Sequence, residues 1–338
     1  MRIGVTYDLR ADYLALGYSA EDTAEFDAEV TVQAICDALS ALGYRPTRIG
    51  NIRALTKALA AGKRYDAVFN ICEGLKGLAR EAQVPALLDA FDIPYVFSDP
   101  LTLALSLDKG MAKRVARDQG VPTPDFALIE RSEDADRIAL PFPLFLKPVA
   151  EGSGKGVGAH SRVNDAAALK HSALMLLAKF DQPVLVETFL PGREFTVGIT
   201  GTGPDAEVLG VTEIVQLHNY VGDGYGFANK ESGWEDKVDI QPAPREFAGP
   251  AGEVALAAWR ALRCRDGGRV DIRLDGQGRP HFIEVNPLAG IRPEHSDLCF
   301  IARYAGLSYQ DLIGRIMESF LKRNPQLRTR RLRARRAA

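Results

Sequence analysis

Short apolar runs and amphipathic stretches alternate from the start of the chain. Arg2–Tyr7, Pro46–Ile49 and Ala67–Ile71 read as short buried strands. Asp22–Leu42 and Arg80–Phe91 repeat apolar residues at helical spacing, and Gly43 closes the first as a helix stop. This alternation predicts a parallel sheet with both faces covered, an α/β segment over residues 1–98. A second segment, residues 99–180, holds the helix Ser106–Gln119, ended by Gly120-Val-Pro-Thr-Pro124. It continues with a strand over Phe142–Pro148, the glycine-rich loop Glu151–Gly158 and a helix over Asp165–Lys179. A third, residues 181–321, opens with the strand Pro183–Glu187. It carries a polar loop (His218–Asp239), a helix (Gly249–Leu262), a strand pair and a last helix. Residues 322–338 form a basic tail.

One stretch of the third segment carries the clearest chemistry. Val270, Ile272 and Leu274 alternate with Arg269, Asp271 and Arg273, while Ile283 and Val285 alternate with Glu284 and Asn286. Asp275–Arg279, rich in Asp and Gly, suits a tight hairpin between them. With the turn centred between Gln277 and Gly278, Asp271 faces Glu284 and Arg269 faces Asn286 on one side of the ribbon. Like charges facing each other destabilise a sheet. Two carboxylates and an amide oxygen make sense around a hard divalent cation such as Mg²⁺. Arg269 would then stabilise negative charge developing beside it. An exposed polar face with Arg–Asp pairs explains the pattern equally well.

Other features are weaker alone. The glycines of Glu151-Gly-Ser-Gly-Lys-Gly-Val-Gly158 let backbone N–H groups approach phosphates. The Walker pattern fails, because Gly156 follows Lys155, and a mobile surface turn fits as well. Lys147 ends an apolar strand, where it needs a counter-charge or water. Lys109, on a helix, would ordinarily be solvated. Glu187 and Glu194 flank Phe189-Leu190, which could seat a nucleobase between acceptors or form the charged rim of a hairpin. No glycine-rich dinucleotide fingerprint follows the first strand.

Composition narrows the class. The 338 residues allow two or three domains, and 46% hydrophobic with 25% charged residues is ordinary for a globular protein. No apolar run is long enough for a membrane span, and Met1 leads straight into a strand rather than a signal segment. Cys36, Cys72, Cys264 and Cys299 are scattered without a Cys-x-x-Cys pair, which favours buried free thiols and a cytoplasmic home. Net charge is −2, yet from Lys322 onward there are eight basic residues and no acidic ones. The rest carries 34 basic and 44 acidic residues, a net of −10, which argues against nucleic acid as the main partner. The run Arg328–Arg336 reads as a solvated terminus.

Ordered words along the chain resemble the D-alanine–D-alanine ligase family of ATP-grasp enzymes, from the first strand to about Phe320. They are Phe69-Asn-Ile-Cys-Glu-Gly74, Arg80-Glu-Ala-Gln-Val-Pro-Ala-Leu-Leu88, Leu105-Ser-Leu-Asp-Lys-Gly-Met-Ala-Lys113 and Gly120-Val-Pro-Thr-Pro124. Phe145-Leu-Lys-Pro148, Glu151-Gly-Ser-Gly-Lys-Gly-Val157, Val186-Glu-Thr-Phe-Leu-Pro-Gly-Arg-Glu-Phe-Thr-Val197, Gly268-Arg-Val-Asp271 and Phe282-Ile-Glu-Val-Asn-Pro287 follow. The resemblance implies a three-domain ATP-grasp ligase with a parallel-sheet N-terminal domain. It would use ATP with Mg²⁺ or Mn²⁺, join small amino-acid substrates, serve peptidoglycan biosynthesis for the cell wall and possess a homodimeric form. Lys109, Lys147, Gly154 and Lys230 would contact phosphates, and Glu187, Phe189, Leu190 and Glu194 the adenosine. Asp271, Glu284 and Asn286 would hold the metal, and Arg269 with the Gly290 backbone the oxyanion. Ser153 would lie in the closing loop, Glu25 would anchor the first substrate's amino group, and Ser296 the second substrate's carboxylate.

Four departures leave the substrate open. Tyr7-Asp8 replaces a Gly-Gly pair, and Ser153-Gly154 replaces paired serines. Glu231, after Lys230, stands where an aromatic ring is usual. The segment Asn286–Ser296 has one residue more than the commonest form and brings in His295 and Asp297. Other amino or hydroxy acids, or nucleotide binding without turnover, are the competing expectations.

Overall fold

The computed structural model describes residues 1–218 and 234–327. Lys230, Glu231 and the tail from Arg328 lie outside the described residues. Strands β1 (Arg2–Tyr7), β2 (Arg45–Gly50), β3 (Ala67–Ile71) and β4 (Tyr95–Val96) form a parallel sheet in the order β2-β1-β3-β4. Both faces are covered, as the alternating pattern predicts. Ile3, Val5 and Phe69 pack against Ile35 and Leu39 of the helix Glu29–Ala41. Ile313, Ile316 and Phe320 of the helix Tyr309–Arg323 join them, so the last helix returns to the first sheet. On the other face Val68 meets Leu55, Leu59 and Leu88.

A second, antiparallel sheet contains β5 (Phe126–Ile129), β6 (Leu144–Pro148), β7 (Arg162–Val163) and β8 (Val184–Thr188), in the order β5-β8-β6-β7. The helix Ala166–Phe180 buries Leu169, Ala173 and Leu176 on it. The strand expected to open the third segment thus belongs to the second sheet, and the passage between sheets falls after Thr188 rather than at 180. The third sheet, antiparallel throughout, orders β9 (Glu194–Thr200), β10 (Glu207–Gln216), β11 (Val238–Pro242), β12 (Gly267–Leu274) and β13 (Pro280–Asn286) as β11-β10-β9-β12-β13. Trp259, fully buried, anchors the helix Arg245–Ala261 to it.

Four further boundaries differ from expectation. Of Asp22–Leu42 only Glu29–Ala41 is helical, because the preceding backbone is committed elsewhere. Asp27 N–H donates to Asp8 O at 3.0 Å, and Arg10 N–H donates to Asp27 O at 2.9 Å. The helix Ser106–Gln119 is two, Pro100–Leu107 and Lys109–Asp118, broken where the Asp108 carboxylate accepts from Met111 N–H at 2.9 Å. Asp239 lies in β11, not in a polar loop, and the helix expected from Gly249 begins at Arg245. Among the described residues the four cysteines are free, and no helix is long and apolar enough to cross a membrane.

Candidate active site

The β12–β13 ribbon has Arg269 opposite Asn286 and Asp271 opposite Glu284, as the alternation predicts. The route to that register differs from expectation. Nearer the turn Ile272 pairs with Phe282 and Leu274 with Pro280, so the hairpin centres on Gln277. A β-bulge at Ile283 restores the predicted pairing beyond it. The bulge also moves Ile283 off the core face. Phe282 and Val285 are buried, while Ile283 lines a cavity together with Glu284. The turn is held by Asp275, whose carboxylate accepts from Gln277 N–H and Arg279 N–H at 2.9 Å each.

On the polar face of the ribbon, charges are matched. Arg269 Nη1 donates to Asp271 Oδ1 and Oδ2 at 2.6 and 2.5 Å, and its Nε lies 3.7 Å from Asp297 Oδ2. Although burial opposes the charge, Asp271, Asp297 and Glu284 raise the Arg269 pKa further. Asp271 also accepts from Thr196 Oγ1 at 3.2 Å and from Asn286 Nδ2 at 3.5 Å. Lys109, expected to be solvated, is 7% exposed at the start of its helix. It donates to Glu151 O at 2.6 Å and pairs with Glu284 at 3.5 Å.

A second charge cluster joins the adjoining sheet to the helix Lys109–Asp118. Glu187 binds Lys147 Nζ at 3.0 Å through one oxygen and Lys113 Nζ at 2.9 Å through the other. All three side chains are at most 7% exposed. Burial would push the Glu187 carboxyl up, but the two ammonium groups outweigh it and hold it low. Burial pulls Lys113 down to about 8, against the attraction of Glu187. Lys147 is held up by Glu187 and Glu284 despite its burial. Sequence reasoning missed Lys113. Its signal was its place four residues after Lys109, between Ala112 and Ala116 on the buried face of a short helix. Phe189 is covered by guanidinium groups, Arg162 at 4.5 Å and Arg273 at 5.2 Å from the ring centroid. Glu194 lies 3.6 Å from Arg273.

The glycine loop is ordered by contacts from the first sheet's region. Ser153 takes a φ of 51° and Gly154 and Gly156 φ values of 69° and 73°, the last two needing no side chain. Glu25 Oε1 accepts from Gly152 N–H at 2.6 Å and sits 3.4 Å from Lys155 Nζ. Its Oε2 accepts from Arg80 Nη2 at 3.0 Å. Burial would raise the Glu25 pKa, yet Arg80 and Lys155 hold it low. The carboxylate expected to anchor a substrate amine is therefore engaged by the protein. Ser296 Oγ accepts from Arg292 N–H at 2.9 Å and stands 3.0 Å from where a Cβ on Gly290 would lie.

Two cavities gather these residues. The smaller, about 100 Å³, is lined by Lys147, Gly154, Glu187, Phe189, Leu190, Glu194 and Asp271. The larger, about 420 Å³, is lined by Glu25, Ser153, Asn286, Gly290 and Ser296. Lys109, Arg269 and Glu284 line both, so the cavities meet there. Asp27, Glu73 and Glu81, not singled out from sequence, also face the larger one.

Residues 115–318 match the family model described as D-ala D-ala ligase C-terminus. The chain belongs to the D-alanine–D-alanine ligase family. It is 37% identical to a D-alanine–D-alanine ligase of Bordetella pertussis over 266 residues, 77% of this chain and 79% of that one. It is 35% identical to an uncharacterized protein of Sinorhizobium fredii over 254 residues, 74% and 73% of the two chains. The crystal structure of D-alanine–D-alanine ligase from Bacillus anthracis superposes with a TM-score of 0.72 at 25% identity, covering 96% of this chain and 99% of that one. The ATP-grasp fold and the ATP-dependent, carbon–nitrogen bond-forming ligase activity expected from the resemblance are those of this chain.

Proposed function

We propose that the protein activates the carboxylate of one amino acid as an acylphosphate and couples it to the amine of a second. The observation that carries this reading is the meeting of the two cavities at Lys109, Arg269 and Glu284. A nucleotide in the smaller cavity and a carboxylate in the larger one would be brought together there. The base would lie against Phe189 and Leu190, with Glu187 and Glu194 as acceptors for its amino group and ribose. Lys147 and Lys109 reach toward the phosphates from β6 and a helix start, and the N–H groups of the Ser153–Gly154 turn close over them. Lys230 extends this set in the reading.

The donor set fits a divalent metal. Asp271, Glu284 and Asn286 share one face of the ribbon and would be its oxygen ligands, while Arg269 and Lys109 pair with the two carboxylates in the metal-free site. Mg²⁺ or Mn²⁺ held there would offset the charge of the transferring phosphoryl group. In the first half-reaction a substrate carboxylate oxygen bonds to the γ-phosphorus and ADP leaves. In the second an amine attacks the acyl carbon, and inorganic phosphate leaves with the bonding pair while the amine's proton passes to solvent. Arg269 and the Gly290 N–H, both on the wall of the larger cavity, would hold the oxyanion between these events. Ser296, beside Gly290, would receive the second substrate's carboxylate. Loop closure keeps water from the acylphosphate.

Phosphate release from ATP in Mg²⁺ with a panel of D- and L-amino acids, D-alanine among them, tests the reading. Turnover that depends on an amino acid and is lost in Asp271→Asn is the expected result. ATP binding without phosphate release from any pair overturns it.

A further inference from the structure

The two roles given to Arg269 and Asp271 conflict in the metal-free site. Arg269 Nη1 donates to both oxygens of Asp271, at 2.6 and 2.5 Å, and Asp271 is a proposed metal ligand. With a divalent cation bound, Asp271 gives up part of that pairing, and the guanidinium beside it is repelled. Metal entry and release of Arg269 from Asp271 are then one event. A released arginine has several rotatable bonds, so it stays aimed at the reacting carbon only if another anion restrains it.

Asp297 supplies that anion. Its Oδ2 lies 3.7 Å from Arg269 Nε, a different nitrogen from the one that Asp271 engages. Closing the gap by about 0.8 Å would make this ion pair a hydrogen bond of ordinary length. Both residues line both cavities. Asp297 opens the helix Asp297–Tyr304, whose Leu298 and Ile301 are buried in the core, so its backbone is firmly held. An acid in a first helical turn also favours the helix, so its place in the chain alone assigns no role. We propose that Asp297 is the positioning residue of Arg269. As Asp271 turns to the metal, Arg269 passes to Asp297 through Nε and keeps its other nitrogens for the acyl oxygen. This rests on the metal and oxyanion assignments proposed above, and extends them to a residue outside that set.

Asp297→Asn, Arg269→Met and the double variant form a cycle with two readouts. One is kcat and KM for amino-acid-dependent phosphate release. The other is Mn²⁺ affinity in the presence of ADP, titrated by EPR without turnover. Asp297→Asn is expected to lower kcat about tenfold, the worth of one charge-assisted contact, with the KM for ATP changed by less than about twofold. Mn²⁺ should bind more weakly by a similar factor, and Asp297→Glu should restore most of both. Neither loss should appear when Asp297→Asn is made in the Arg269→Met protein, because Asp297 acts through the guanidinium. Equal losses in both backgrounds, as for an acid that only starts the helix or only attracts the metal, overturn the inference and leave the ligase reading intact. Asp297→Ser takes the place of Asp297→Asn if that variant does not fold. Without phosphate release from any pair the ligase reading fails, and the Mn²⁺ affinities still decide the inference. A parent protein that binds no Mn²⁺ overturns the inference together with the metal assignment.

Discussion

Glu187→Gln tests the counter-charge account of the buried lysine cluster at the smaller cavity. Glu187 is the shared counter-charge of Lys113 and Lys147, at 2.9 and 3.0 Å, and all three side chains are nearly inaccessible to water. The substitution preserves shape but leaves two buried ammonium groups facing one neutral amide. Removing one partner of a buried pair costs about 3–5 kcal/mol, a large share of the roughly 5–15 kcal/mol that stabilises a typical protein. Lys113 offers partial relief, because burial already pulls it down to about 8 and Glu187 opposes that pull. Without Glu187 it should release its proton near neutral pH. The sign follows from linkage. A lysine whose folded pKa lies below its unfolded value binds more protons when unfolded, so stability rises with pH above the folded pKa. Urea unfolding at pH 7 and pH 9 should therefore show a deficit of about 3 kcal/mol for the variant at pH 7, shrinking at pH 9. Lys113→Met/Glu187→Gln should recover part of the loss at pH 7. A Glu187→Gln protein within ~1 kcal/mol of the parent at pH 7 would refute the counter-charge account.

Other perturbations probe separate parts. Arg269→Met should lower kcat by about 10²–10³-fold, as for loss of one oxyanion donor, with a much smaller change in the KM for ATP. Gly156→Ala places a Cβ 2.5 Å from Pro148 Cγ at a φ of +73°, so the loop should shift at a cost of about 1–2 kcal/mol, read as a raised KM for ATP. Asp27 is raised by burial and then by Asp8 to about 7, so it holds a proton in the folded chain that the unfolded chain has lost above about pH 4. Stability from this group is thus highest at low pH and declines as pH rises toward 7, and Asp27→Asn should flatten that decline in urea midpoints. Removing divalent metal with EDTA should abolish phosphate release, and Mg²⁺ or Mn²⁺ in excess should restore it.

Much of the architecture was legible because it depends on local rhythm. β1 and β3 appear at the predicted residues, and the alternation on β12 and β13 correctly paired Asp271 with Glu284. What escaped depends on partners distant in sequence. Nothing local distinguishes Asp22–Ala28 from the helix that follows; its backbone is diverted by Asp8 and Arg10. The bulge at Ile283 preserves the site pairing while moving one apolar residue to the other face, which strict alternation cannot encode. Lys113 and Arg80 look like surface charges until Glu187 and Glu25 are brought beside them from 74 and 55 residues away.

The grip of Glu25 on Gly152 gives the two cavities a thermodynamic bond. The first sheet's region holds the turn proposed to cover the nucleotide, so a ligand that displaced Glu25 would shift the energy of that turn. Such coupling is reciprocal: if the amino acid tightens ATP binding by some factor, ATP tightens amino-acid binding by the same factor. Gly152 leaves little latitude for adjustment, since a Cβ there would lie 2.4 Å from the Glu25 oxygen. Coupling between the cosubstrates would pass through this hydrogen bond, at the wall of the larger cavity.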